Sequence, residues 1–343
     1  MNEENTVQKI QRRSRNTTNF NEKSVKHFFF SEETKLPVVC QAEYPGIDLR
    51  TWIIENAAFI QKELHQYGAV LFRNFANATI NDFDRVVRAW NAELMDYDFG
   101  STPRSNLQSG IYTSTEYPAD QEIVMHNEMA YSKRYPSYLW FYCHQAAEEG
   151  GCTPLADSRR VYRMLGEEIT SQFESKKVLY CRNYQKGIDV PWTQVFRTDD
   201  KEEVARYCTK NGIDFEWVTE DHLRTKELCE AVLVHPETGE KVWFNQAHLF
   251  HISNLSEELA SQLALMPEED LPRNAFWGDG SPINPTYLEQ IRAIYIQAKV
   301  RFDWQSGDML LIDNLLASHG RDAYKGPRKV LVAMQGPLNP AVI

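Results

Sequence analysis

The chain of 343 residues lacks any apolar run that approaches the ~20 residues of a membrane-spanning helix. Basic residues near its start, from Lys9 to Arg15, are followed by a polar stretch and not by an apolar segment, so we expect no secretory signal. We expect residues 1–25 to form a flexible polar arm and residues 26–343 to form a single domain of a cytoplasmic protein that makes no membrane contact.

Cysteine is scarce, and its spacing is irregular. None of the six cysteines forms a C-x-x-C pair, which disfavours a zinc finger. A chain of this length does not need disulfides for stability, so the spacing predicts reduced thiols. The six are Cys40, Cys143, Cys152, Cys181, Cys208 and Cys229.

An excess of basic charge is also absent. The chain has 37 Lys and Arg residues against 48 Asp and Glu residues, and its formal net charge is −11. This balance disfavours a nucleic-acid-binding protein. A few local arginines could still bind an anionic ligand, so the charge of a substrate stays open. No internal repeat or low-complexity linker divides the chain.

Apolar periodicity predicts a mainly β fold with peripheral helices. Helices are expected over residues 48–67, 80–94, 158–173, 256–266 and 285–300, with Asp48 as one cap and Asp157 or Ser158 as another. Strands are expected over 69–75, 121–129, 138–147, 153–157, 177–184 and 328–336, with a hairpin over 231–246. The segment 301–314 is expected to be strand-rich in two parts, with a turn at Gly307-Asp308 between them. Many short strands favour a double-sheet fold such as a jelly roll, although periodicity alone does not exclude other α+β folds.

The most informative local motif is His126-Asn127-Glu128. On a strand, residues i and i+2 point to the same face, so His126 and Glu128 would project together and Asn127 would point away. One imidazole and one carboxylate are two of the three ligands of a 2-His-1-carboxylate iron site. Such a site leaves adjacent positions open for a bidentate cosubstrate and O₂. H-x-E alone is common, so a second histidine is needed.

Four histidines compete for that role. His319 follows an apolar strand and precedes a glycine, which would place it at a strand-to-loop edge. His144, His248 and His251 are the alternatives. The last two are three residues apart, as a zinc site on one helix face would require, but no H-E-x-x-H accompanies them.

A dicarboxylate cosubstrate also needs a cationic partner for the end that does not chelate the metal. A guanidinium pairs with a carboxylate through two hydrogen bonds. Arg328 lies nine residues after His319 at the start of a predicted strand, and Arg321 lies closer. The residues alone leave both open.

Four segments resemble the taurine dioxygenase-like superfamily, which includes the clavaminate synthase-like enzymes, and most closely its syringomycin-biosynthesis-type amino-acid hydroxylases. They are MHNEMAYS (125–132), EEGGCTPLADSR (148–159), FDWQSGDMLLIDN (302–314) and SHGRDAYKGPRKVLVAM (318–334). The resemblance covers roughly residues 48–336 and keeps the order of the motifs. It implies a double-stranded β-helix, a cupin-like jelly roll.

The resemblance also implies roles for individual residues. His126, Glu128 and His319 would bind Fe(II), and Thr153 and Arg328 would bind the carboxylate of 2-oxoglutarate. For Arg321 two roles are open, a substrate-binding anchor near the metal or a salt bridge that shapes its loop. Many relatives carry Asp in place of Glu128. Related halogenases carry a small residue there, so halogenation is disfavoured.

The activity so implied is that of an Fe(II)- and 2-oxoglutarate-dependent dioxygenase that uses O₂. We expect it to hydroxylate an sp³ carbon, most often the β carbon, of an amino acid in natural-product biosynthesis. Desaturation, epoxidation and cyclisation use the same cofactor chemistry and remain open. An inactive jelly-roll binding protein and a zinc hydrolase are more distant alternatives.

The substrate and its partners are less defined. The amino acid could be free or tethered to a carrier protein as a thioester, and the absence of a strong basic patch slightly favours the free form, because carriers are usually acidic. The charged segment 199–231 is a candidate lid over the active site. The oligomeric state is left open.

Overall fold

The computed structural model describes residues 24–338, apart from positions 77–78, 92, 96–105, 109, 114–116, 186, 188 and 264. Residues 1–23 of the predicted arm therefore lie outside the described residues. Val25, the last residue of that arm, is buried and already belongs to the first strand. None of the helices in the described ranges is long and apolar enough to span a membrane.

Short helices alternate with strands along the described chain. The helices are α1 (Leu49–Glu55), α2 (Ala57–Tyr67), α3 (Ile80–Trp90), α4 (Ser158–Lys176), α5 (Trp192–Val195), α6 (Lys201–Asn211), α7 (Ala247–Phe250), α8 (Glu257–Leu263) and α9 (Pro285–Ala298). The strands are β1 (Val25–Phe29), β2 (Val38–Ala42), β3 (Ala69–Arg73), β4 (Asn106–Gln108), β5 (Ile111–Thr113), β6 (Ile123–His126), β7 (Tyr135–Gln145), β8 (Glu149–Gly150), β9 (Leu155–Asp157), β10 (Val178–Tyr184), β11 (Asp214–Trp217), β12 (Leu223–Cys229), β13 (Val232–Val234), β14 (Lys241–Trp243), β15 (Arg273–Trp277), β16 (Met309–Asp313), β17 (Ala317–Arg321), β18 (Tyr324–Lys325) and β19 (Lys329–Leu338).

Two sheets form the jelly roll. The larger has eight strands in the order β1-β2-β3-β16-β7-β19-β5-β4, and all of its pairs are antiparallel except β2 with β3. The smaller has the order β6-β17-β9. The predicted fold class, mainly β with peripheral helices, is confirmed.

The larger sheet is covered on both faces. In β16, Leu310 and Ile312 belong to the core that also contains α4 and α9, whereas Met309 and Leu311 pack with α1, α2 and α3. A strand buried on both faces reads as a continuous apolar run, as this one does. All six cysteines are buried free thiols, as predicted.

Polar side chains explain where the predicted elements differ from the observed ones. The predicted helix 48–67 begins at its Asp48 cap but divides at Asn56, whose side-chain amide donates to the carbonyl of Trp52 (2.8 Å). A side chain that takes a helix carbonyl in this way competes with the backbone. The segment 301–314 is predicted as two strand-rich parts with a turn at Gly307-Asp308. Its second part is a strand from Met309, whereas residues 303–308 form a loop held by Arg73.

The segment 199–231 is regular. It contains α6, β11 and β12, and the two strands continue a four-stranded sheet in the order β11-β12-β10-β15 outside the jelly roll. Glu227 of β12 accepts hydrogen bonds from Ser132 Oγ (3.2 Å) and from the backbone N–H of Lys133 (2.7 Å). The segment therefore contacts the chain shortly after Glu128, and its role as a lid stays a prediction.

A buried ion pair should dominate the stability of the loop before β16. Arg73 donates to both carboxylate oxygens of Asp308, and its side chain and that of Asp308 are 9% and 1% exposed. Arg73→Met leaves this carboxylate buried without its partner, so we expect the free energy of unfolding to fall by about 3–5 kcal/mol in urea titrations.

The exposed pair Lys325–Glu149 provides the control, with side chains 77% and 68% exposed. Lys325→Met should change the free energy of unfolding by less than about 1 kcal/mol. Equal losses in the two variants would contradict the importance of the buried pair.

Candidate active site

Three predicted ligands meet where the smaller sheet faces the core. His126 of β6 and His319 of β17 are directly paired across the two strands, and their ring centroids are 4.5 Å apart. Glu128 Oε2 lies 3.9 Å from His319 Nε2. One ligand atom from each of the three residues lies within 4.8 Å of the others, and no other group of this kind occurs among the described residues. The three side chains can therefore hold a metal ion.

Glu128 reaches this cluster by a route that differs from the predicted one. The strand β6 ends at His126, so strand alternation does not carry Glu128 to the same face. The chain instead turns after His126, and Met129 has a φ of 56°. Asn127 is fully buried, and its amide donates to Ser158 Oγ (3.1 Å). His319 lies within β17 and not at a strand-to-loop edge.

The side chain of Asn314 holds this turn. Its Oδ1 accepts the backbone N–H of Glu128 (2.8 Å), and its Nδ2 donates to the carbonyl of Glu128 (3.0 Å) and to that of Pro136 (2.9 Å). Asn127 Nδ2 donates in turn to the Asn314 carbonyl (2.6 Å). A single amide thus satisfies both backbone groups of Glu128 in a site closed to water, and this fixes where the carboxylate projects.

Two residues at the start of α7 donate hydrogen bonds to the backbone carbonyls on either side of His126. Gln246 Nε2 donates to Asn127 (2.7 Å), and His248 Nε2 donates to Met125 (3.0 Å). Burial lowers the pKa of His248 to about 3, so the ring is neutral and its one proton lies on Nε2. This hydrogen bond gives His248 a structural place next to the cluster. The zinc site suggested by the spacing of His248 and His251 does not form in the described chain.

The tautomer of His126 is set by the backbone. Its Nδ1 lies 2.8 Å from the carbonyl oxygen of Val124, which can only accept, so Nδ1 carries the proton. Nε2 therefore presents its lone pair. Metal-binding histidines commonly have one ring nitrogen bound to such an acceptor, which orients the ring.

A cavity of about 30 Å³ connects the histidines with the other predicted site residues. Thr153, Arg321 and Arg328 line it together with His126 and His319, and Phe141, Val330 and Val332 make up part of its apolar wall.

The two arginines leave this cavity with an excess of positive charge. Burial and, to a smaller extent, the nearby charge of Arg321 together lower the pKa of Arg328 to about 10. In the described ranges, no carboxylate lies within 4.0 Å of either guanidinium. A buried guanidinium without a counterion is costly, so the cavity is suited to an anion.

Arg321 and Arg328 differ in their hydrogen bonds. Arg321 donates to three backbone carbonyls, those of Tyr117 (3.0 Å), Pro118 (2.5 Å) and Gln121 (2.8 Å). Arg321 therefore holds the loop before β6 by hydrogen bonds to backbone carbonyls. The sequence had suggested a salt bridge for this structural role. Within the described residues, Arg328 donates one hydrogen bond, from Nε to the carbonyl of Gly151 (3.0 Å), and its guanidinium lies 5.5 Å from the centre of the Tyr324 ring.

Glycines permit the close approach of the segments around the cavity. Gly150 and Gly151 have φ values of 70° and 71°, and a Cβ on Gly151 would lie 3.0 Å from Arg328 Cδ. A Cβ on Gly320 would lie 2.6 Å from the carbonyl oxygen of Ile123 in the neighbouring strand. The predicted Gly-Gly turn thus brings Arg328 against the chain that leads to Thr153.

Sequence reasoning missed Asn314, Gln246 and Trp304, whose indole Nε1 donates to Thr153 Oγ1 (3.0 Å). Asn314 and Trp304 lie within 302–314, one of the four segments that carry the family resemblance. Nothing else in the sequence indicated their importance. No spacing rule identifies a buried amide whose partners lie more than 170 residues away.

Asn314 should determine metal affinity. Asn314→Asp keeps the shape but replaces the donor to Glu128 and Pro136 by an oxygen, so the turn that presents Glu128 shifts. Changes to groups that orient ligands typically cost about 10–100-fold in metal affinity. We expect a loss of that size in calorimetric titrations with Mn(II) under anaerobic conditions.

Asn183→Asp is the matched control, since Asn183 is also buried and donates to two carbonyls, those of Glu269 and Leu271, in the four-stranded sheet. It should leave metal affinity within about twofold, a change of less than ~0.5 kcal/mol. The same loss in both variants would show that Asn314 acts only through general stability.

Comparisons with known proteins identify the family of the chain. The profile of the Taurine catabolism dioxygenase TauD, TfdA family matches residues 32–334. The Dapdiamide synthesis protein DdaC of Enterobacter agglomerans is 42% identical over 283 residues, which are 82% of this chain and 86% of that protein. A clavaminate synthase-like protein of Arabidopsis thaliana is 30% identical over 287 residues, which are 80% and 84% of the two chains.

The fold is similar to that of a solved oxygenase. The crystal structure of PvcB from Pseudomonas aeruginosa gives a TM-score of 0.54 at 16% identity and covers 94% of this chain and 97% of that one. Another PvcB structure, described as that of an Fe, alpha-ketoglutarate dependent oxygenase from an isonitrile synthetic pathway, gives 0.53 at 16% identity and covers 99% and 98%. The chain belongs to the TauD, TfdA family and is an Fe(II)- and 2-oxoglutarate-dependent oxygenase.

Proposed function

We propose that His126, Glu128 and His319 bind the iron, that Arg328 and Thr153 bind 2-oxoglutarate, and that the enzyme hydroxylates an sp³ carbon of an amino acid or an amino-acid derivative. The observation that carries the proposal is the arrangement of one cavity. Its wall contains both histidines of the cluster and an arginine without a carboxylate partner in the described chain. A metal and a dicarboxylate would complement these two features.

The residues of the cluster fit Fe(II). Two imidazoles and one carboxylate, with no thiolate, form the facial triad of non-haem iron oxygenases. Bound there, Fe(II) with 2-oxoglutarate supplies the activation of O₂ and the oxidation of a C–H bond, and the cosubstrate leaves as succinate and CO₂.

The chain's own contribution is orientation and exclusion of water. The Val124 carbonyl directs Nε2 of His126 towards the cluster, and Asn314 directs Glu128. Arg328 can donate from its two terminal nitrogens to a carboxylate while Nε stays bound to Gly151. The apolar wall strengthens these interactions because it excludes water.

The substrate class is supported from two directions. The sequence motifs resemble those of amino-acid hydroxylases, and a relative at 42% identity carries the name of a dapdiamide synthesis protein. Both favour natural-product biosynthesis, in a cytoplasmic enzyme. Arg321 remains our candidate for a substrate contact, because it lines the cavity although its terminal nitrogens bind the loop.

Each of the three ligands should be essential. His126→Ala, Glu128→Ala and His319→Ala remove one donor from a three-donor site, so we expect 2-oxoglutarate-dependent succinate formation to be lost in each. Circular dichroism and thermal melting should show a retained fold. Full turnover in any one variant would remove that residue from the site.

Arg328 should govern cosubstrate affinity. Lysine cannot reproduce the two-pronged pairing of a guanidinium with a carboxylate. We expect Arg328→Lys to raise the KM for 2-oxoglutarate about 10–100-fold, which corresponds to one or two charge-assisted hydrogen bonds, and Thr153→Ala to raise it less. Arg321→Lys is the comparison, and a larger rise there would move the anchor to Arg321.

The substrate form can be decided by competition. Equal concentrations of a free amino acid and its carrier-bound thioester are incubated with the enzyme, and the products are followed by mass. We expect the free amino acid to gain one oxygen atom. Hydroxylation confined to the thioester would reverse this preference, loss of two hydrogens would indicate desaturation or cyclisation, and no reaction across all proteinogenic side chains would exclude the amino-acid class.

A further inference from the structure

Trp304 contacts the wall of the cosubstrate cavity from behind. Its indole Nε1 lies 3.0 Å from Thr153 Oγ1, and the two residues are 9% and 2% exposed. Thr153 itself lines the cavity next to Arg328. Trp304 does not line the cavity itself, but it contacts the cavity wall through Thr153.

The direction of this hydrogen bond determines what Thr153 offers to the cavity. An indole N–H can only donate, whereas a hydroxyl has one proton to donate and lone pairs to accept. The bond from Trp304 therefore occupies a lone pair of Oγ1. The hydroxyl proton of Thr153 is left for another acceptor, and no such acceptor occurs in the described part of the chain.

We propose that Trp304 is a positioning residue that turns the hydroxyl proton of Thr153 into the cavity, so that Thr153 acts there as a donor towards the far carboxylate of 2-oxoglutarate. The inference rests on the proposed function of the cavity. With Trp304 in place, Thr153 and Arg328 both present N–H or O–H groups. A cavity of donors binds a carboxylate and discriminates against a neutral or apolar end.

Several contacts hold the loop that carries Trp304 in place. Arg73 Nη2 donates to the carbonyl of Asp303 (2.7 Å) in addition to its ion pair with Asp308. The ring of Phe302 packs edge-on against the indole at 4.9 Å.

A second contact joins this loop to the strand segment of Thr153. Cys152 Sγ donates to Asp303 Oδ1 (3.4 Å), directly beside the bond between Trp304 and Thr153. Cys152 and Thr153, which are adjacent in sequence, therefore form hydrogen bonds with the adjacent residues Asp303 and Trp304. These two contacts restrict rotation of the indole.

The test is a double-mutant cycle on binding, measured by calorimetry with the Mn(II)-loaded protein in the absence of turnover. Thr153→Val should raise the Kd of 2-oxoglutarate about tenfold, as the loss of a hydrogen bond to a charged group does. Trp304→Phe should raise it roughly three- to tenfold, because the hydroxyl is free to rotate. The double variant should bind no more weakly than Thr153→Val.

Two comparisons separate positioning from a general structural role. Trp140→Phe is the matched control, because Trp140 is also buried and its Nε1 donates to Gln335 Oε1 (3.0 Å). It should leave the Kd unchanged. Trp304→His, whose ring can keep an N–H donor, should recover part of the affinity that Trp304→Phe loses.

The choice of ligand shows which end of the cosubstrate is involved. 2-Oxovalerate keeps the metal-chelating 2-oxo acid and lacks the far carboxylate, so it should bind the wild-type protein more weakly than 2-oxoglutarate does. Its Kd should be the same in Trp304→Phe and Thr153→Val as in the wild type. Equal losses for both ligands would contradict the proposal, as would additive effects in the cycle. A wild-type protein that binds no 2-oxoglutarate would overturn the proposed function itself, and the inference with it.

The proposal stays testable if Trp304→Phe does not fold, which thermal melting would show. Thr153→Ser keeps the hydroxyl and Thr153→Val removes it, with no change at Trp304. We expect only the valine variant to lose affinity for 2-oxoglutarate, and the same loss in both would contradict donation from Thr153.

Discussion

The active site depends most on one buried amide. Asn314 accepts the N–H of Glu128 and donates to its carbonyl, so the chain can leave β6 and turn without exposing its polar groups to an apolar core. Without these bonds, the backbone around Glu128 would pay the full cost of buried, unpaired groups. Asn314 directly follows β16, so the larger sheet positions the turn that carries the carboxylate, while the smaller sheet presents His126 and His319.

The second constraint is electrostatic. The cluster carries one carboxylate, whereas the cavity beside it carries two guanidinium groups whose pKa values are lowered by burial. The fold tolerates this imbalance because carbonyls of Gly151 and of the loop before β6 accept from the arginines. The remaining donors favour an anion that also chelates a metal, which is what 2-oxoglutarate provides.

Much of the fold could be predicted because apolar periodicity indicates which face of each helix or strand packs against the core. The helices capped by Asp48 and Asp157 and the hairpin β13–β14 follow from such signals and from caps. Periodicity did not predict the backbone conformation where a buried polar side chain binds the backbone. Asn56 divides a predicted helix, and Asn314 draws Glu128 into a turn that was expected to be a strand.

The candidate ligands could be identified because residue type and motif order carry that information, but their surroundings could not. The bonds that orient them join residues far apart in sequence, such as Trp304 with Thr153 and His248 with Met125. Such pairs depend on the three-dimensional register of two sheets. Arg321 illustrates the same limit, because its nearness to His319 in sequence did not indicate that its terminal nitrogens hold the loop around Pro118.

Iron binding by two imidazoles and one carboxylate beside a cosubstrate cavity underlies each of these proposals. X-ray absorption at the iron edge of the Fe(II)-loaded protein tests it most directly, before and after anaerobic addition of 2-oxoglutarate. We expect oxygen and nitrogen ligands only, scattering from two imidazoles, and a chelate signal that appears with 2-oxoglutarate. Sulfur ligation, fewer than two imidazoles, or a spectrum that 2-oxoglutarate leaves unchanged would contradict it.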